Sequence, residues 1–171
     1  MSAGTLISVE EYLNTTYRPD RDHVEGALLE RNVGEHDHSW MQTLLGILFF
    51  AHERGWNVRA FVEQRVQVES GRFRVPDVCV VRKGDYEPIV TRPPVLCIEI
   101  LSKDDTVRSM EERVNDYLRF GVPTVWVLDP HTRRGYAYTS DGVRREATDG
   151  VMRAANPGHC EIELPMSELA E

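Results

Sequence analysis

Apolar residues recur at three- and four-residue intervals in Trp40, Met41, Leu44, Leu45, Leu48 and Ala51. That spacing predicts a helix over 37–54, with Gly55 as its stop. Earlier, Ser8 and Glu11 read as a capping box opening a short helix through Asn14. Glu25-Gly26 marks a turn or bulge before the strand-like Ala27-Leu28-Leu29 within the stretch 23–33. Period-two patterning then takes over. Residues 57–61 and 65–69 read as strands, Ser70-Gly71 as a turn, and 73–81 as a strand that begins or bulges at Pro76. Residues 95–101 (VLCIEIL) form the most continuously apolar strand. Met110, Val114, Tyr117 and Leu118 make the buried stripe of a helix over 106–120, ended by Gly121, with Ser109 and Glu112 a capping-box candidate that would start it later. Residues 123–128 are another buried-type strand, closed by Asp129-Pro130. Strand, helix, strand implies a right-handed crossover to a parallel neighbour. Short strands at 136–138 and 143–146 and a helical turn at 166–170 complete an α/β (α+β) chain, a mixed sheet with helices against it.

Two acids break this pattern. On the strand at 95–101 one face carries Val95, Cys97, Glu99 and Leu101, and on the preceding strand one face carries Asp77, Cys79 and Val81. An ionised carboxylate in apolar surroundings must meet a cation, a strong donor or water. The 22-residue separation from Asp77 to Glu99 accommodates a strand, a proline-rich loop and an antiparallel return. Asp77 and Glu99 can then share one sheet face and one divalent ion. Mg²⁺ suits such a pair, because it takes oxygen ligands and keeps several waters, and Mn²⁺ is the alternative. The competing reading is structural: Asp77 caps a strand end and Glu99 pairs with an arginine.

Composition narrows the field. The chain has 171 residues, 41% of them hydrophobic and 28% charged, as one globular domain over 1–171 requires. The longest apolar run, 44–51, is interrupted by Gly46 and falls far short of the ~20 residues of a membrane span. Met1-Ser2-Ala3-Gly4 carries no signal-like pattern, and Cys79, Cys97 and Cys160 are too scattered for a disulfide frame. A cytoplasmic location is expected. A net charge of −8 excludes coating of nucleic acid by bulk positive charge. Residues 54–74 are nevertheless locally basic, with Arg54, Arg59, Arg65, Arg72 and Arg74 against Glu63 and Glu69. They form either a solvated strand pair or a phosphate-contacting face.

Together, Val75-Pro76-Asp77-Val78, the run PVLCIEILS over 94–102, Tyr117, Gly121-Val122-Pro123, Trp126 and Asp129-Pro130 resemble the Uma-two family. Glu25-Gly26 and His38 fit its N-terminal pattern, so that the likeness spans about residues 5–170. The resemblance implies a restriction-endonuclease-like core of the PD-(D/E)XK superfamily: a mixed sheet flanked by helices, cutting nucleic-acid phosphodiesters, DNA above all, with Mg²⁺. Carried over, Asp77 is the first acid and metal ligand and Glu99 the second. The superfamily lysine belongs two positions after Glu99, where Leu101 stands. In Uma-two relatives it is expected four residues before the tyrosine, and that position is Arg113. Arginine can stabilise a phosphorane-like transition state but cannot deprotonate water.

Of the two lysines, Lys83 and Lys103, Lys103 is the substitute candidate, against a plain solvated role near a helix start. Glu25 is a third possible acid, either a ligand or a group orienting Arg113, against a strand-end acid beside a glycine bend. His38 either caps its helix or touches the site acids. Two cuts on a duplex need two sites, which makes a homodimer an expected arrangement. The alternative function is a degenerate nuclease fold acting as a nucleic-acid-binding or regulatory module.

Overall fold

The computed structural model describes residues 6–31 and 35–169. In chain order the elements are α1 (Val9–Asn14), β1 (Asp22–Val24), β2 (Ala27–Leu29), α2 (His36–Trp56), β3 (Val58–Val62), β4 (Val66–Glu69), β5 (Arg72–Arg74) and β6 (Val78–Arg82). They continue with β7 (Leu96–Ile100), α3 (Val107–Phe120), β8 (Thr124–Asp129), β9 (Arg134–Thr139), β10 (Arg144–Glu146), β11 (Val151–Ala154), β12 (Ile162–Pro165) and a 3₁₀ turn at Met166–Leu169. Val33 and Ala170, which bound two of the segments read from sequence, lie outside the described residues.

The main sheet has the order β10-β9-β8-β7-β6-β3. Only β7 and β8 pair in parallel, joined by α3 as the crossover, while β6 and β7 are antiparallel. Alternation along the central strands divides the core in two. Val78, Val80, Leu96, Ile98 and Ile100 face α2, with Met41, Leu45 and Phe49. Cys79, Cys97, Val125 and Val127 face α3, with Met110, Val114 and Tyr117. The β11–β12 hairpin packs on the α2 side, and its closeness explains Gly135. A Cβ there would lie 2.3 Å from the Met152 sulfur.

The stretch 73–81 is not one strand. It breaks between Arg74 and Val78, and its halves belong to different sheets: β5 joins the small sheet β2-β1-β5-β4, and β6 the main one. Pro76, which cannot donate to a ladder, lies in the break. That step leaves Asp77 just outside β6, at the edge of the core. At α3 the cap is Thr106 rather than Ser109. Thr106 Oγ1 accepts from the Ser109 N–H at 3.1 Å, and Ser109 Oγ accepts from the Thr106 N–H at 3.2 Å. Gly121 ends the helix with φ 107°, a conformation that favours glycine. The hairpin 151–165 had no alternation strong enough to be read as strands.

The small sheet is fixed to α3 by buried charges. Arg74, 2% exposed, places Nη1 2.8 Å from Asp22 and Nη2 2.7 Å from Asp116. Arg72 adds Asp116 at 3.0 Å and Glu25 at 3.0 Å. Arg65 pairs with Asp20 at 2.7 Å, and Arg59 with Glu53 at 2.5 Å. The locally basic stretch is therefore taken up by internal ion pairs at four of its five arginines.

Candidate active site

The register sets Val78 opposite Ile98 and Cys79 opposite Cys97. One further step of that pairing brings Asp77 opposite Glu99, on the α3 side of the sheet. Both line a single narrow cleft with Arg31, His38, Asp105 and Arg113, whose volume of ≈ 10 Å³ is room for about one water. Asp77 is 3% and Glu99 1% exposed, so each charge must be answered by a neighbour.

Asp77 is answered by three groups. Arg31 Nη2 lies 2.5 Å from Oδ1, His38 Nε2 3.4 Å from Oδ2, and the Ile100 N–H donates to Oδ2 at 2.7 Å. Burial pushes this carboxyl up, but His38, Arg31 and the Ile100 amide outweigh it and hold it below the usual range. In return, Asp77 overcomes the burial of His38 and raises the imidazole above its ordinary value. Glu99 behaves differently. The Tyr117 hydroxyl donates to Oε1 at 2.6 Å, while Arg113 Nε stands 3.6 Å from Oε2, too far for a hydrogen bond. Burial dominates, Arg113 only partly offsets it, nearby Asp77 adds to it, and the carboxyl is pushed up to about 7.

Arg113 is held by its other end, with Nη2 2.6 Å from Asp105 Oδ1. Among the described residues its buried Nε has no hydrogen-bond partner. Three carboxylates therefore face two guanidiniums and one histidine. Asp77, Glu99 and Arg113 converge as the sequence suggests. His38 reaches Asp77 from the first turn of α2 and so touches a site acid.

Glu25 and Lys103 do not join them. Glu25 sits in the β1–β2 turn with φ 52° and binds Arg72, away from the cleft, as a strand-end acid beside a glycine bend. Lys103 is exposed and pairs with Glu35, because the loop after β7 turns its long stem outward to solvent. Arg31 and Asp105 were not legible in sequence: each is a charged residue in a short loop, without periodicity or motif to mark it. Tyr117 was read as core. A hydroxyl at a buried helix position has to find a partner, and that requirement was the available signal.

Among the described residues no group of three or more His, Cys, Asp or Glu side chains is placed to hold a metal ion. A nitrogen–sulfur cage for zinc is thereby absent from them. The two carboxylates that do converge are hard oxygen donors in the small number that Mg²⁺ or Mn²⁺ accepts while keeping its own waters. The residues fit such an ion, provided Arg31 swings off Asp77 to make room.

A mixed sheet with helices on both faces makes this an α/β (α+β) fold. The chain belongs to the Uma2 family, described as "Putative restriction endonuclease", whose model matches residues 9–166. Among solved structures it is similar to a "putative nuclease belonging to DUF820" from Anabaena variabilis ATCC 29413, at 21% identity and a TM-score of 0.80. The match covers 95% of this chain and 97% of that one. A DrdV–DNA complex matches at 13% identity and a TM-score of 0.42, over 60% of this chain and 9% of that one. No match is found among curated proteins.

Proposed function

We propose that this protein is a nuclease of the PD-(D/E)XK type that hydrolyses phosphodiester bonds of DNA, with Mg²⁺ or Mn²⁺ held by Asp77 and Glu99. The observation that carries this reading is the meeting of two buried acids from adjacent strands with two arginines in one cleft. When bound, the ion supplies Lewis-acid polarisation of the phosphoryl oxygen and a more acidic water. The chain's own residues do the rest. Tyr117 fixes one oxygen of Glu99, and the Ile100 amide fixes one oxygen of Asp77, so both ligands are oriented before substrate arrives. Arg113, anchored by Asp105 and lining the cleft, presents its guanidinium to a non-bridging phosphate oxygen and stabilises charge that grows in the transition state. Arg31, once released from Asp77, is a second phosphate contact.

The test is incubation of the purified protein with supercoiled plasmid, linear duplex, single-stranded DNA and RNA. Cleavage that needs Mg²⁺ or Mn²⁺ and stops with chelator is expected. Cutting that ignores the chelator, or no cutting of any substrate, would contradict the proposal. One feature favours a second reading: an arginine stands where the family's lysine is expected. A binding module without turnover would retain oligonucleotides in a gel-shift assay, cut none of them, and gain activity in Arg113→Lys.

A further inference from the structure

Helix α2 turns Met41, Leu45, Phe49 and Trp56 into the core, yet its opposite side is not polar. Trp40 is 42% exposed, Ile47 56% and Phe50 78%. Trp40, Leu44, Ile47 and Ala51 follow one another at intervals of four, three and four residues, the repeat with which one helix lies along another. At 3.6 residues per turn they share a strip about 60° wide. The same repeat ends on Asp37 in the first turn and Arg54 in the last, both exposed.

We propose that this strip is the interface of a homodimer in which the α2 helices of two copies pack antiparallel. The strip is complementary to itself in one register. With the twofold axis passing between residues 45 and 46, Leu44 meets the partner's Ile47. Trp40 meets the partner's Ala51, a large side chain against a small one. Asp37 meets the partner's Arg54 at both ends. A parallel pairing would instead set Asp37 against Asp37 and Arg54 against Arg54. A twofold interface uses one patch twice, so this match within a single helix selects a second copy of the chain as the occupant. Charge at the ends selects the direction.

The arrangement also relates the two clefts. His38 of one copy lies level with residue 53 of the other, so the clefts are about 22 Å apart along the helix pair. One helix of 21 residues supplies an interface at the small end of the range for specific pairs. A micromolar equilibrium, on the order of 10⁻⁵ M, is therefore expected rather than an obligate dimer.

Sedimentation velocity across roughly 1–200 μM protein tests this. The wild type should pass from monomer to dimer over that range. Ile47→Glu, a change at an exposed position, should remain monomeric with an unaltered circular-dichroism melt. Arg54→Glu should weaken association about tenfold by facing Asp37 with a like charge, and adding Asp37→Arg should restore it. A wild type that is monomeric throughout, or a dimer that Ile47→Glu leaves intact, would overturn the interface. A double exchange no better than Arg54→Glu alone would overturn the antiparallel pairing. None of these outcomes depends on nuclease activity.

Discussion

Asp77→Asn is expected to lower metal-dependent DNA cleavage by a factor on the order of 10³ or more, with KM changing far less than kcat. The replacement keeps the shape of the side chain and an oxygen for the Ile100 N–H, but removes the charge that an ion needs. It also strands Arg31, whose positive charge faces Asp77, and takes a charged partner from His38. A fall in activity from misfolding is separable by the thermal melt. Arg31 is itself largely buried, its side chain 11% exposed, so leaving it unpaired should lower the melt as well, and cleavage is compared at a temperature where both proteins are folded. Cleavage by Asp77→Asn within tenfold of the wild type would remove Asp77 from the chemistry.

Arg74→Met is expected to have the largest effect on stability, about 3–5 kcal/mol in urea unfolding, because it leaves buried acids without their main counter-ion. Asp22 and Asp116 are each 3% exposed. Among the described residues, Asp22 keeps a hydrogen bond from the Val75 N–H at 3.0 Å, while Asp116 retains Arg72 and Arg119. The asymmetry makes a second variant informative: Asp22→Asn in the Arg74→Met background should recover part of the loss, since it removes the carboxylate left most exposed to desolvation. A loss under about 1 kcal/mol would mean that α3 and the small sheet are not held by this network.

The sheet's centre was legible because its strands must be apolar on both faces, and nothing else in the chain has that character. Glu99 and Asp77 stood out for the same physical reason, a charge where burial penalises charge. The crossover through α3 followed from a 3.6-residue stripe between two such strands. The split at Pro76 was half legible: proline forbids a ladder bond, but which sheet each half joins is decided by long-range pairing. Glu25 stayed ambiguous in sequence because a glycine turn beside an acid looks the same whether the acid faces a cleft or an arginine of the neighbouring strand. Arg31 and Asp105 were hidden because loop residues carry no periodicity, and only the folded chain brings them beside Asp77 and Arg113.

The proposed role of the paired acids rests on their uptake of a divalent ion, and calorimetric titration of Mn²⁺ into the protein measures it most directly. Burial holds the Glu99 carboxyl at about 7. Below that value it carries a proton that an ion must displace, and above it the ligand is already ionised. Affinity should therefore rise as pH increases through neutrality and level off near about pH 8, with proton release on binding on the acid side. One ion per chain is expected in the wild type. Tighter binding is expected in Arg31→Met, which vacates Asp77, and none in Asp77→Asn. No heat of binding at about pH 8, or binding that Asp77→Asn leaves unchanged, would contradict the assignment of Asp77 and Glu99 as a metal site.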